Sequence, residues 1–442
     1  MKKNIVLVCL LLLMAGALVF AGGGQSKTSA SGAVKFRHLA TNSGNDANTE
    51  QTRYMIQKFN EAYAGKYEVE VEWIPGMAED IRAKLKMLNT ARDLPPVVTN
   101  LVAEPAFAEL LFRNNRLIDL KPYFDADPEW KRLAIPESVV FNTQPDGKMY
   151  SSPSVVTDFV GIYYNKEHFA KAGIASFPET WDEFWTACDK LRAVGITPIS
   201  LHLTETGWCT FLMSTAYLAN SNDGYNFMKE KFPTNFNTPQ VIDMLNMIKR
   251  LYTYTTRDAQ GGNYALAANN FSVENTAMIP NGPWMMQSLS DPTFCAPGFD
   301  QKVAYAKFPG GIMISDQGEG FGDGVSVDVS EAEQKGAIEW IRFQATNQDL
   351  IRYRGRMNGA FSPLVPLTEA DKSTFSPPMR SYAEVVPTIQ KTIPVYQGRW
   401  DALTQHEVIE TETINFINGA ISAEEMAAKM TASARRYAAE NQ

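Results

Sequence analysis

The sequence predicts an α/β fold, divided between two domains or the halves of one large bilobal body. Three observations carry this. Between Val34 and Phe112, strand-like and helix-like segments alternate as β-α-β-α-β-α, the signature of a parallel sheet covered by helices. The chain has 442 residues, too many for one hydrophobic core. The extended run from Val155 to Asn165 outlasts an ordinary strand, as expected of a segment that leaves one domain and enters another without a loop.

The elements follow in order. Residues 34–39 form a first strand. A polar turn then holds Asn42, Ser43, Asn45 and Asp46, and Thr49 caps a helix whose Met55, Phe59 and Tyr63 share one face. Residues 68–73 alternate strictly, so they form a strand with one wet face. Ile81, Leu85 and Leu88 mark the next helix, 95–99 a third strand, and 104–112 a third helix. Thr180 and Glu183 make a capping box, in which each side chain satisfies the other's backbone. Residues 199–203 are a strand, and the loop after it ends in Trp208 at a helix start. Val241, Met244, Leu245, Ile248, Leu251 and Tyr252 share the face of a strong helix opened by Thr238 and Pro239.

Thr276, Ala277, Met278 and Ile279 form a short buried strand. Pro280, Asn281, Gly282 and Pro283 then force a turn, because two positions have fixed φ and Gly282 can take φ > 0. Trp284 follows at a helix start. The arrangement either presents an indole at the carboxyl edge of the sheet, where open α/β folds bind ligands, or plugs the core. Residues 302–308 and 325–329 are further strands, separated by a glycine-rich loop with no phosphate-binding fingerprint. Ser330 with Glu333, and Ser422 with Glu425, cap later helices, and another helix runs from Trp400 to Ile417.

Charge narrows the function. The net charge of −8 argues against nucleic acid or an anionic lipid surface as partner. Lys2, Lys3 and the apolar run 5–20 read as an export signal cleaved after Ala21, and 22–33 as a flexible linker. The cysteine needed for lipidation is not at the new terminus, so a lipid anchor is disfavoured. The expected place is periplasmic or extracytoplasmic. Cys188, Cys209 and Cys295 are widely spaced and read as buried thiols.

Catalytic signatures are thin. The four histidines, His38, His168, His202 and His406, lack metal-ligand spacing, and no cofactor motif is present. Asp158, Glu104 and Glu205 are the carboxylates that glycoside hydrolysis would use. Aromatic and amide side chains recur at element edges: Asn42, Asn100, Tyr163, Trp208, Asn281, Trp284 and Trp400. A sugar offers C–H faces for stacking and hydroxyls for fixed donors and acceptors. Burying about 80 Å² by stacking is worth about 2 kcal/mol. For each of these residues the alternative role is packing.

Three passages resemble a known family. They are Gly161-Ile162-Tyr163-Tyr164-Asn165-Lys166, then Phe177-Pro178-Glu179-Thr180-Trp181-Asp182-Glu183-Phe184, then Met278 to Trp284. The chain resembles the sugar-binding group of extracellular solute-binding proteins of bacterial ABC importers, which includes the maltose-binding protein. The resemblance implies two α/β lobes joined by a multi-segment hinge, with ligand in the cleft between them. It places the lobes at 34–157 plus about 325–375 and at 158–324 plus about 376–442. It implies stacking by Trp284 and Trp400, and contacts from Glu205, Trp208 and Asp158. Asn281, Asn42, Asn100 and Glu104 complete the expected ligand set. Gly207 and the run 100–104 depart from the maltose binder, so the resemblance extends to the carbohydrate class and not to maltodextrin in particular. A monomer that is no enzyme, with the importer's membrane subunits as partner, is the expected form. The rivals are a secreted carbohydrate-active enzyme, or the same fold holding a polyamine or peptide.

Overall fold

A computed structural model describes residues 32–42, 47–75, 78–315 and 318–440. The expected leader, and the linker up to residue 31, lie outside the described residues. Among these, the strands run in chain order as β1 (Val34–Asn42), β2 (Tyr67–Pro75), β3 (Val97–Val98), β4 (Gly161–Asn165), β5 (Thr197–Ile199), β6 (Thr276–Asn281), β7 (Val303–Ala306), β8 (Ile312–Ile314), β9 (Gly324–Val325) and β10 (Lys391–Ile393).

In the first lobe β1 and β2 pair in parallel, Val34 opposite Tyr67, with the helix Ala47–Ala62 as crossover. Met55 and Phe59 on that helix are buried, as their spacing predicts. The charged positions of β2 stay wet, where Lys35 of β1 reaches Glu68 at 3.3 Å and Glu70 at 2.6 Å. The third strand pairs antiparallel, β3 with β9. Local alternation predicted a parallel neighbour. β9 returns from more than two hundred residues away, and no local pattern announces it.

The second lobe holds a four-stranded sheet in the order β5-β6-β4-β7. β5 lies parallel to β6, and β4 runs antiparallel to both β6 and β7. The helix Trp181–Ala193 starts on the expected capping box and buries Phe184, Cys188 and Leu191. Cys209 and Cys295 are also buried free thiols.

Hydrophobic cores divide the chain. One uses residues from Phe36 to Val156 and again from Val325 to Val365, with a satellite that includes Leu85, Leu111 and Phe321. The other uses residues from Phe159 to Ile314 and from Phe375 to Ala434. Between them three segments cross side by side. Thr157 N–H donates to the Phe361 carbonyl at 2.8 Å, and Phe361 N–H donates back at 2.9 Å. The hydroxyls of Thr157 and Ser315 are 3.0 Å apart. Val160 and Ile314 exchange backbone bonds of 2.7 and 3.0 Å. The run 155–165 is therefore not one strand. Its first half makes single bridges to the other crossing segments, and only Gly161–Asn165 joins a ladder.

The lobes meet across their gap. Lys231 of the second lobe pairs with Glu109 of the first at 2.7 Å and sits over the Phe141 and Phe321 rings. At Gly359 an added Cβ would collide with Pro283.

Two histidines set an expected pH response. His38 in β1 and His202 are buried, and desolvation lowers both pKa values from 6.5 to about 4. The unfolded chain thus binds protons that the folded chain refuses. The contribution of these two residues is constant above about pH 6.5, falls as the pH drops, and has lost about 3 kcal/mol per histidine near pH 4. Chemical denaturation at a series of pH values reads this directly, and replacing His202 by glutamine should flatten the slope.

Candidate functional site

The stretch around Trp284 is organised by buried tyrosines. β6 is buried throughout, and Asn281 at its end is sealed against Gly161 of β4. Tyr163 donates its hydroxyl to the Gly282 carbonyl at 2.9 Å. The Tyr305 hydroxyl lies within hydrogen-bond distance of the carbonyls of Asn281, 2.9 Å, and Phe159, 2.8 Å. Asn281 is fully buried, with its amide donating to the Tyr264 hydroxyl at 2.8 Å and its oxygen accepting from Gly282 N–H at 2.7 Å. It therefore fixes the turn and has no free edge for a ligand, which corrects the expected contact.

Gly282 is needed for a different reason from the one expected. Its φ is −89°, which any residue adopts. The indole of Trp284 folds back over it, so that a Cβ would collide with the ring. Gly282→Ala is expected to displace the indole and weaken ligand binding about tenfold. Because β6 is unaffected, the melting temperature should change by only a few degrees. Calorimetric titration beside a thermal melt checks both.

Trp208 is held by a strained loop. Glu205, Thr206 and Gly207 have φ of 57°, 64° and 62°. A β-branched residue is a genuine outlier there, and such strain persists only where the surroundings over-determine it. They do so here. The Tyr396 hydroxyl reaches the Thr206 carbonyl at 3.0 Å, and the Gln397 amide donates to Thr206 Oγ1 at 3.1 Å. Glu205 accepts from Tyr264 N–H at 3.0 Å. His202 bridges the Thr204 carbonyl, 2.9 Å from Nδ1, and the Cys209 N–H, 3.3 Å from Nε2. A neutral ring with its proton on Nδ1 satisfies both, in keeping with its lowered pKa.

The result is a pair of half-buried indoles, Trp208 and Trp284, 6.3 Å apart and inclined at 45°. They occupy the second lobe's side of the gap. The turn Pro283–Met285 approaches the helices Ala47–Ala62 and Gln348–Asn358 of the first lobe. Likewise the turn Leu101–Ala103 approaches Tyr396–Gly398.

The remaining candidates separate. Trp400 is 1% exposed and packed edge-on against Phe211 and Phe236. It is a core residue, which corrects its expected stacking role: the rings of Phe211, Phe236 and Tyr396 surround it. Asn100 sits at the first lobe's edge with φ 60°. Glu104 pairs with Arg82 at 3.8 Å and with Lys86, so its carboxylate is already engaged. Asn42 closes β1, and the turn 43–46 lies outside the described residues.

Asp158 lies on a crossing segment and belongs to a charged group that sequence reasoning missed. Burial pushes the Asp158 carboxyl up, with the Arg354 guanidinium opposing. The same burial raises Asp323, opposed by its hydrogen bond from Thr99 and by Arg354. Arg354 is lowered by burial, with the two carboxylates opposing, and its Nε has no partner. Asp323 and Arg354 line a cavity of about 150 Å³ beside the crossing segments. One signal was available. In the run Arg352, Tyr353, Arg354, Gly355, Arg356, a helix puts the first and last arginines on one face and Arg354 about 200° away. Arg352 and Arg356 indeed pair with Asp349 and Asp371. Arg354 is turned inward.

A larger cavity, about 610 Å³, lies elsewhere on the second lobe, between Trp181, Trp185, Tyr217 and Arg250. There Arg250 covers the Trp185 ring at 4.1 Å and Tyr217 donates to Asp243 at 2.9 Å.

Comparison with known proteins agrees with this architecture. Residues 45–350 match the model of the family described as bacterial extracellular solute-binding protein. The multiple sugar-binding protein of Streptococcus mutans is 27% identical over 243 residues, 50% of this chain and 56% of that protein. The sn-glycerol-3-phosphate-binding periplasmic protein of Brucella melitensis is 26% identical over 353 residues, 74% of this chain and 75% of its own. Among solved structures, a chitin oligosaccharide binding protein superposes with a TM-score of 0.73 at 21% identity, covering 91% of this chain and 98% of that one. That likeness is one of fold: two α/β lobes of the type II periplasmic kind. The chain spans about half the length of the Streptococcus relative that it matches.

Proposed function

Because the chain belongs to the bacterial extracellular solute-binding protein family, we propose that it captures a carbohydrate between its lobes and delivers it to an ABC importer. The paired indoles carry this reading. Trp208 and Trp284 stand 6.3 Å apart at the edge facing the gap, one held by a strained loop and the other by two buried tyrosines. Neighbouring rings at that spacing offer stacking surfaces to two successive units of a saccharide, at about 2 kcal/mol each. The relatives named for sugars and chitin oligosaccharide support the same solute class.

The moving bodies are the two cores, and the hinge is the trio of Thr157, Ser315 and Phe361. Ligand touches both lobes only when they close, so it binds that form better and shifts the population toward it. The importer's membrane subunits then meet the closed shape. The protein acts as a monomer outside the cytoplasm after removal of residues 1–21, and the solute leaves chemically unchanged. Among the described residues no helix is long and apolar enough to cross a membrane.

X-ray scattering with calorimetry tests this. Saturation with the best oligosaccharide of a panel should reduce the radius of gyration, raise the melting temperature and release no product. An unchanged radius together with product release would replace the reading by that of a carbohydrate-active enzyme.

A further inference from the structure

We infer that the short segment Tyr396–Arg399 carries closure of the lobes to the paired indoles, with Gln397 and Arg399 as positioning residues for Trp208. This rests on the capture reading above and deepens it. The segment faces both ways. Toward the second lobe it holds the loop of Glu205, Thr206 and Gly207. Thr206 keeps φ at 64°, a conformation that a β-branched residue retains only when its surroundings impose it. The Tyr396 hydroxyl lies 3.0 Å from the Thr206 carbonyl and 3.2 Å from its Oγ1, and the Gln397 amide donates to that Oγ1 at 3.1 Å. Trp208 opens a helix two residues on, so the stance of its indole follows the loop.

Toward the first lobe the same segment makes two contacts. The turn Leu101–Ala103 approaches Tyr396–Gly398, and the Arg399 guanidinium, 9% exposed, pairs with Glu319. Glu319 sits on a loop tied to the first lobe: Asn142 donates its amide to the Gly320 carbonyl at 3.1 Å, and Phe321 belongs to that lobe's satellite core. A third crossing lies alongside. Phe232 N–H donates to the Arg399 carbonyl at 2.7 Å, and Lys231 beside it reaches Glu109.

Between its two faces the segment is braced. Gln405 donates its amide to the carbonyls of Gln397, at 3.2 Å, and Trp400, at 2.6 Å, while Tyr396 is fully buried. A shift of Arg399 is therefore passed to Gln397 rather than absorbed. The first lobe's contacts exist only while the lobes are together. They favour the closed form and, through Thr206, the ring geometry that goes with it. Affinity scales with the fraction of protein already closed, so losing a crossing contact lowers it.

The test labels the full chain with 5-fluorotryptophan and reads its fluorine resonances without ligand, Trp208 being assigned by its loss in Trp208→Phe. Glu319→Gln changes a half-exposed side chain of the first lobe and touches nothing in the second except Arg399. It should move the Trp208 resonance and leave those of Trp130 and Trp340, in the first lobe's core, where they are. Glu319→Asp, which keeps the charge, should move it less than about half as far. Calorimetric titration then uses the tightest binder among maltotriose, raffinose and chitotriose. Glu319→Gln and Gln397→Ala should each weaken it about threefold to tenfold, and the pair together by clearly less than the product of the two losses. An unmoved Trp208 resonance in Glu319→Gln overturns the inference and leaves the capture function standing. So do two losses that multiply in full. Should Gln397→Ala not fold, or should none of the three saccharides bind, the resonance decides alone. Absence of binding counts against the carbohydrate reading and not against the link.

Discussion

Replacing Trp284 by alanine is expected to weaken saccharide binding about 30-fold to 100-fold while the protein stays folded. The indole is half-buried and packs on the edge of the second lobe's core, so its removal strips a stacking surface worth about 2–3 kcal/mol from the ligand. The strand before it keeps its bonds, because Tyr163 and Tyr305 hold the main chain of Asn281 and Gly282 rather than the ring. Trp284→Phe should recover part of the loss. Trp208→Ala should have a similar effect. The double variant should lose less than the sum, since neighbouring rings share one ligand. Calorimetric titration measures all four. A Trp284→Ala protein that melts normally and binds within threefold of wild type would remove the indole pair from the mechanism.

Trp400→Ala is the contrasting experiment. Here the expected loss is stability, about 3–5 kcal/mol, from a cavity among Phe211, Phe236 and Tyr396. For a lobe of this size that is a fall on the order of 10 °C in the melting temperature of the second lobe. Whatever protein remains folded should bind more tightly than Trp284→Ala does. Differential scanning calorimetry resolves the effect, and the opposite pattern, an ordinary melt with lost affinity, would return Trp400 to the ligand surface.

The difference between these two tryptophans shows where sequence reasoning stops. Both follow turn residues and both precede a helix, so local pattern treats them alike. What separates them is whether the next segment of a distant element covers the ring, and that is decided by Phe211 and Phe236 arriving from elsewhere in the chain. Capping boxes fared better, because Thr180 with Glu183 and Ser330 with Glu333 form entirely within four residues. Gly282 was rightly singled out, but for φ rather than for the indole lying over it. The cluster of Asp158, Asp323 and Arg354 is spread over nearly two hundred residues and forms only where the crossing segments converge. The antiparallel partner of β3 was invisible for the same reason.

The interleaving of the two cores has a consequence for how the chain is made. Each body is assembled from early and late pieces: the first needs residues up to Val365, and the second needs residues up to Ala434. A nascent chain emerging at about 5–20 residues per second therefore cannot complete either body until most of its length has left the ribosome. Until then it stays unsealed, which is the state a narrow translocation pore can thread.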